Sequence, residues 1–207
     1  MSIFEKKYKE YDLWYKKNPL VFESELLALQ KTVPVTGRGI EIGVGTGRFA
    51  SALNIKYGID PSRNMLKLAR RRGVQVKRAA GENIPFKENT FDYAVLIFSL
   101  CFLKNPLKVF KEIKRILKPG GKLIVGFIDK KSQLGKRYAA ENNEYYRNAM
   151  FYTAAQTMKL YKTTGFLVTN IYQTIIMMPE TIEVIEKPKR GSGSGGFVVI
   201  TGVSSKK

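Results

Sequence analysis

The chain has 207 residues, 44% of them hydrophobic and 12% aromatic, which is enough for a full core and too apolar for global disorder. One cysteine, Cys101, excludes a disulfide scaffold; the absence of histidine excludes Ser-His-Asp and Cys-His chemistry and any histidine-ligated metal, so no metal is expected. Lysine and arginine number 36 against 17 acids, a net charge of +19 that raises nucleic acid, acidic surfaces and anionic substrates as partners.

The N-terminal segment reads as a helical cap over residues 1–35. Phe4 to Trp14 and Leu20 to Leu29 have helical apolar spacing, broken at Asn18-Pro19. Gly39 to Ile42 is a short strand that runs into Gly43-Val44-Gly45-Thr46-Gly47, followed by a brief helix from Arg48 to Leu53. Ile55 to Ile59 is a second strand. Ser62 then serves as N-cap of a helix to Arg72, with Arg70, Arg71 and Arg72 complementing its dipole. Val74 to Arg78 and Phe91 to Phe98 are the third and fourth strands, the latter apolar enough to be buried on both faces.

Pro106 to Leu117 is an amphipathic helix. Its expected inner stripe is Leu107, Phe110, Ile113 and Leu117, and its outer stripe runs from Lys104 through Lys108, Lys111 and Arg115 to Lys118. Lys122 to Ile128 is the fifth strand. Residues 129–165 form an expected substrate-lid insertion, polar and aromatic at first and helical from Thr153 to Thr164. Phe166 to Met177 and Phe197 to Gly202 are the last strands, with a flexible glycine-serine turn at 191–196 between them. Alternating strands and helices argue an α/β fold, a mostly parallel seven-stranded sheet with helices on both faces. A single domain over residues 1–207 is expected. The longest apolar run, Tyr93 to Leu103, is 11 residues, short of the roughly 20 that a membrane span needs. The N-terminus lacks the apolar core of a signal peptide, so a cytoplasmic protein is expected.

The most informative stretch is E-I-G-V-G-T-G at 41–47, between a strand and a helix. Glycines let a ligand approach the backbone, and a helix N-terminus favours negative charge. The third glycine of the dinucleotide fingerprint would fall at Arg48, so the pattern departs from a nicotinamide site. Asp60 ends the next strand, where a carboxylate can accept both hydroxyls of a ribose.

These residues resemble a family. The glycine loop, G-I-D-P-S-R-N-M-L at 58–66, G-E-N-I-P-F-K-E-N-T-F-D at 81–92 and R-I-L-K-P-G-G-K-L at 115–123 are similar, in order, to motifs of the class I S-adenosylmethionine-dependent methyltransferases. The third is most like the ubiquinone/menaquinone-biosynthesis branch. The resemblance spans residues 39–128 and implies a Rossmann-like, doubly wound sheet with an antiparallel C-terminal edge strand. It implies S-adenosylmethionine as cofactor and S-adenosylhomocysteine as product. Gly43, Gly45 and Gly47 would pass under the methionine part, Glu41 would approach its amino group, and Asp60 would hold the ribose, with Pro61 and Ser62 at the adenine edge. Glu82 and Asn83 would lie along the adenine, and Phe98 and Ser99 would face the methionine. The family often has an acid two residues before the glutamate; Ala80 stands there instead, which shifts adenine recognition toward backbone groups.

Methyl transfer from a sulfonium is an in-line displacement that rests on alignment and desolvation. Without histidine, any general base is Asp, Glu, Tyr, Lys or a water, and no catalytic residue is singled out. Acceptor-side candidates are Tyr11 and Trp14 in the N-terminal helix, Cys101 after the fourth strand, and Arg137 and Tyr138 in the lid. Tyr11, Trp14 and Cys101 also read as core packing, and Arg137 and Tyr138 as ordinary surface. A small-molecule acceptor is the leading expectation. RNA or protein as acceptor, and a non-catalytic adenosylmethionine-binding protein, are the alternatives.

Overall fold

The computed structural model describes residues 2–141 and 144–206. All its strands join one sheet. β1 (Gly39–Ile42), β2 (Tyr57–Asp60), β3 (Gln75–Arg78), β4 (Phe91–Ile97) and β5 (Leu117–Ile128) are mutually parallel, in the order β3-β2-β1-β4-β5. β6 (Phe166–Thr174), β7 (Lys189–Arg190) and β8 (Phe197–Ser204) continue it as β8-β6-β7. The chain therefore reverses direction from β1 between its two halves, and a ligand crevice is expected at the carboxyl ends of the strands there.

Three elements refine the expected sheet. The C-terminal strand β8 is antiparallel as expected, but it lies inside, hydrogen-bonded to both β5 and β6. The strand number is eight, because two charged residues with no apolar pattern, Lys189 and Arg190, pair with Gln173 and Tyr172. β5 starts at Leu117 rather than Lys122, since Leu117 pairs with Phe91 ahead of a register shift.

Side-chain alternation along the buried strands supplies a core on each face. Tyr93, Val95 and Ile97 of β4 point to one side, among Leu29 of α3 (Pro19–Gln30), Phe49 of α4 (Arg48–Ala52) and Leu66 of α5 (Arg63–Arg71). Ala94 and Leu96 point to the other, among Phe110 and Ile113 of α6 (Pro106–Ile116) and Tyr161 of α8 (Ala154–Thr163). The inner stripe of α6 is Val109, Phe110, Ile113 and Ile116; Leu107 is exposed. Ser62 caps α5 through its side chain, as its sequence position indicates.

The N-terminal cap comprises α1 (Ile3–Lys6), α2 (Tyr8–Lys17) and α3. The expected first helix is broken at Lys7, which leaves helical geometry. That break lets α1 turn onto α5, where Glu5 accepts from the Ser62 hydroxyl and the Asn64 amide. In the expected lid, α7 (Gln133–Ala140) is capped by Ser132. Asn142 and Asn143 of that segment lie outside the described residues.

Candidate active site

Three turns meet at the carboxyl ends of β1, β2 and β4. Gly43 leaves β1 with φ +75°, and a Cβ there would sit 2.6 Å from the Cβ of Ser99. Gly47 also has φ +75°; a Cβ on it would come within 2.9 Å of Ala69, so this glycine lets α5 pack against the loop. Beside Gly45 the space is open, with nothing within 4 Å of a built Cβ.

The turn after β2 presents Asp60. Its two oxygens accept from Gly45 N at 3.0 Å and Ser62 N at 2.8 Å, which leaves each oxygen a further lone pair. Burial pushes its pKa up to about 6 against those two bonds, with the Glu5 charge adding to the rise. The turn after β4 places Phe98 at φ +56°, a conformation a bulky residue rarely adopts. Ser99 Oγ donates to the Ile42 carbonyl at 2.9 Å and ties this turn to β1. Glu41 is 2% exposed, burial holds its carboxyl well above the usual range, and its Oε2 has no partner among the described residues.

A clamp fastens the cap to the glycine loop. Asp12 of α2 accepts from Thr46 Oγ1 at 2.7 Å, from Arg48 at 2.9 Å and from Arg72 at 2.8 Å. Arg72 also donates to the Thr46 carbonyl at 2.7 Å. Burial raises the Asp12 pKa, but the Arg72 and Thr46 hydrogen bonds and the two guanidinium charges outweigh it and hold the carboxyl below its ordinary value. Arg48, the departure from the dinucleotide fingerprint, is thus one of the residues that hold α2 down.

Phe98 also lines a cavity of about 340 Å³. Tyr11, Trp14 and Tyr15 of α2 form one wall, Cys101 and Phe127 line it from the strand ends, and Arg137 and Tyr138 face it from α7. Tyr146 stacks on Tyr138 with ring centroids 4.9 Å apart. All five expected acceptor-side residues, Tyr11, Trp14, Cys101, Arg137 and Tyr138, therefore line one space. Burial pushes the Cys101 thiol up to about 12, which disfavours the thiolate that a nucleophile needs. Arg137 is occupied by Glu180, at 2.9 and 2.8 Å, and by Glu141 at 2.6 Å.

The methyltransferase-domain family model matches residues 40–125. The chain is 43% identical to a solved structure from Thermotoga maritima described as a SAM-dependent methyltransferase and possible histamine N-methyltransferase; 98% of each chain is covered, with a TM-score of 0.95. It belongs to the class I S-adenosylmethionine-dependent methyltransferases. An uncharacterized protein of Methanocaldococcus jannaschii is 43% identical over 97% of this chain and 98% of its own length. The demethylmenaquinone methyltransferase of Bacillus licheniformis is 31% identical over 59% of this chain and 60% of its own.

This methyltransferase uses S-adenosylmethionine, and the residues present fit it. The open side of Gly45, the spare lone pairs of Asp60 and the unpartnered Glu41 oxygen suit a ligand with hydroxyl and ammonium donors. The other expected contacts are more scattered. Pro61 is exposed, and its carbonyl accepts from Arg78 at 2.9 Å. The Glu82 carboxylate turns to α6 and accepts from Asn105 N at 3.3 Å, while Asn83 is exposed. Their loop still abuts the end of β1, since a Cβ on Gly81 would lie 3.1 Å from Ile42.

Sequence reasoning missed the Asp12 clamp, whose partners lie 34, 36 and 60 residues away. It also missed Glu25, which is buried and lines the cavity. A signal was available there: Val21, Glu25 and Leu29 share one helical face, and both apolar neighbours are buried. Among the described residues no helix is long and apolar enough to cross a membrane.

Proposed function

We propose that this methyltransferase acts on a small-molecule acceptor held in the cavity between the cap and the segment 129–152. The observation that carries this reading is the cavity itself, walled by α2 and α7 and lined by Phe98 beside the glycine loop. An aromatic-lined space of this size suits a small planar or alkyl compound. Asp60 holds the ribose, Glu41 the amino group and Ser99 the methionine side, with Pro61, Ser62 and the backbone of the loop at Glu82 and Asn83 along the adenine. The cofactor supplies an electrophilic methyl group. The chain contributes alignment and exclusion of water, with α2 and α7 closing over the acceptor and the Asp12 clamp keeping α2 in place. The description of the Thermotoga protein, which names histamine, agrees with an acceptor of this size.

The test is transfer of tritium from labelled S-adenosylmethionine into cell extract separated into RNA, protein and small molecules, with purified histamine assayed beside it. Label in the small-molecule fraction is the expected result. Label confined to RNA or protein would remove this reading.

A further inference from the structure

One buried carboxyl group serves neither the cofactor cradle nor the Asp12 clamp. Glu25 of α3 is 2% exposed, lines the cavity, and its Oε2 has no hydrogen-bond partner among the described residues. A carboxylate left so is costly unless a ligand completes it. Burial alone pushes its pKa well above the usual range. Tyr11, Tyr15, Tyr138 and Tyr146 line the same cavity, so the group shares its space with aromatic walls.

The charge of the cavity runs against that of the chain. Bases outnumber acids 36 to 17 overall. The described residues of the cavity lining include Glu10, Glu25, Glu141 and Glu180, one arginine and no lysine. That arginine, Arg137, is already held by Glu141 and Glu180. An anionic acceptor would meet carboxylates with no free cation to receive it. A cationic one would meet an unpaired carboxyl and ring faces, which attract cations.

We infer that Glu25 is the counter-charge for an ammonium group of the acceptor, and that the acceptor class is a small amine with an aromatic or alkyl body. The inference rests on the cavity being the acceptor site, as proposed above. It says which chemistry that site selects. Tyr11, Tyr138 and Tyr146 flank the body of the amine, and Glu25 fixes its charged end.

Calorimetry on protein saturated with S-adenosylhomocysteine tests this with matched probes: phenethylamine against 2-phenylethanol, and tryptamine against tryptophol. At least one amine is expected to bind about tenfold or more tighter than its alcohol, the size of a hydrogen bond to a charged group. Glu25→Gln should bring that pair level while S-adenosylhomocysteine affinity stays unchanged. Glu25→Leu, which fills the position with an apolar side chain, should do the same and guards against a folding defect in the first variant. Alcohols binding as well as the amines, a preference that survives both substitutions, or no binding of either amine would each overturn the inference. Methyl transfer to a neutral small molecule in extract, with no amine preference here, overturns the role of Glu25 alone. Label confined to macromolecules removes the reading beneath it as well.

Discussion

The proposed cofactor cradle and the proposed acceptor cavity share Phe98 and the end of β4, yet they are made of different material. The cradle is backbone and short polar side chains: three turns, the one after β1 tied to the one after β2 by Asp60, and the one after β4 tied to the end of β1 by Ser99. The cavity is rings: Tyr11 and Tyr15 from α2, Phe98 from the turn after β4, Tyr138 from α7 and Tyr146 beyond it. Hydrogen bonds from fixed backbone select one ligand and tolerate little change. Aromatic walls accept many shapes, and a single buried charge can then set the chemical class. One half of the site is suited to an invariant cofactor, and the other half can be retuned by a few side chains.

The strongest way to break this contrast is Asp60→Ala. It removes the proposed acceptor for two ribose hydroxyls, each bond to a charged group being worth about 1.5–3 kcal/mol. Calorimetry should show S-adenosylmethionine affinity falling at least tenfold, toward about a hundredfold. An unchanged affinity would mean that the ribose is held elsewhere.

Asp12→Ala comes next, because it separates the halves. It strips two guanidinium groups of their partner. A fully buried pair would cost about 3–5 kcal/mol when broken. Arg48 and Arg72 keep 17% and 25% of their side chains exposed, so a smaller loss, about 2 kcal/mol by urea unfolding, is expected. Acceptor turnover should fall further than cofactor affinity, since α2 forms a cavity wall. The Asp12 carboxyl is held below its ordinary value, so its contribution is present above that value and lost as pH falls through the lowered one. Unchanged stability would show that aromatic packing alone docks the cap.

A pH titration sharpens the picture of the cradle. Asp60 has a pKa of about 6 in the free protein, and ribose hydroxyls donate only to its ionised form with full effect. Cofactor affinity should therefore be level above that value and drop by up to about tenfold per pH unit below it. The free protein's stability runs the other way: the raised pKa contributes most below the ordinary carboxylate range and is lost as pH rises through about 6. In Asp60→Asn the step in affinity near pH 6 should vanish; a step that persists belongs to another group.

The smallest effect is expected far from both halves. Lys104, Lys108 and Lys111 are exposed on or beside α6, whose buried face packs on the sheet. Reversing all three to Glu should change acceptor turnover by less than about twofold, since exposed charges interact weakly through solvent. A large loss at constant cofactor affinity would promote a macromolecular acceptor. Arg115 is left out of that variant because it is structural: its guanidinium donates to Ile84 O and Phe86 O at 2.9 Å each and fixes the loop before β4.

What the sequence determined by itself was local. Strands β1 to β4, the glycine loop, Asp60 and the Ser62 cap follow from turn chemistry, periodicity and capping that act within a few residues. Each of them stands within three residues of its expected place. The same reasoning put the acceptor-side aromatics on the right segments but could not decide between packing and binding. Tertiary structure added that α2, the end of β4 and α7 gather around one space, which is what supports the binding reading proposed above. It also decided the interior position of β8, the two-residue strand β7 and the Asp12 clamp, all of which depend on partners distant in sequence. Glu25 marks the boundary between the two kinds of information. Its place on an apolar helical face is written in residues 21–29, but the lack of a partner for its Oε2 among the described residues is a property only of the folded cavity, where burial removes water and no described donor replaces it.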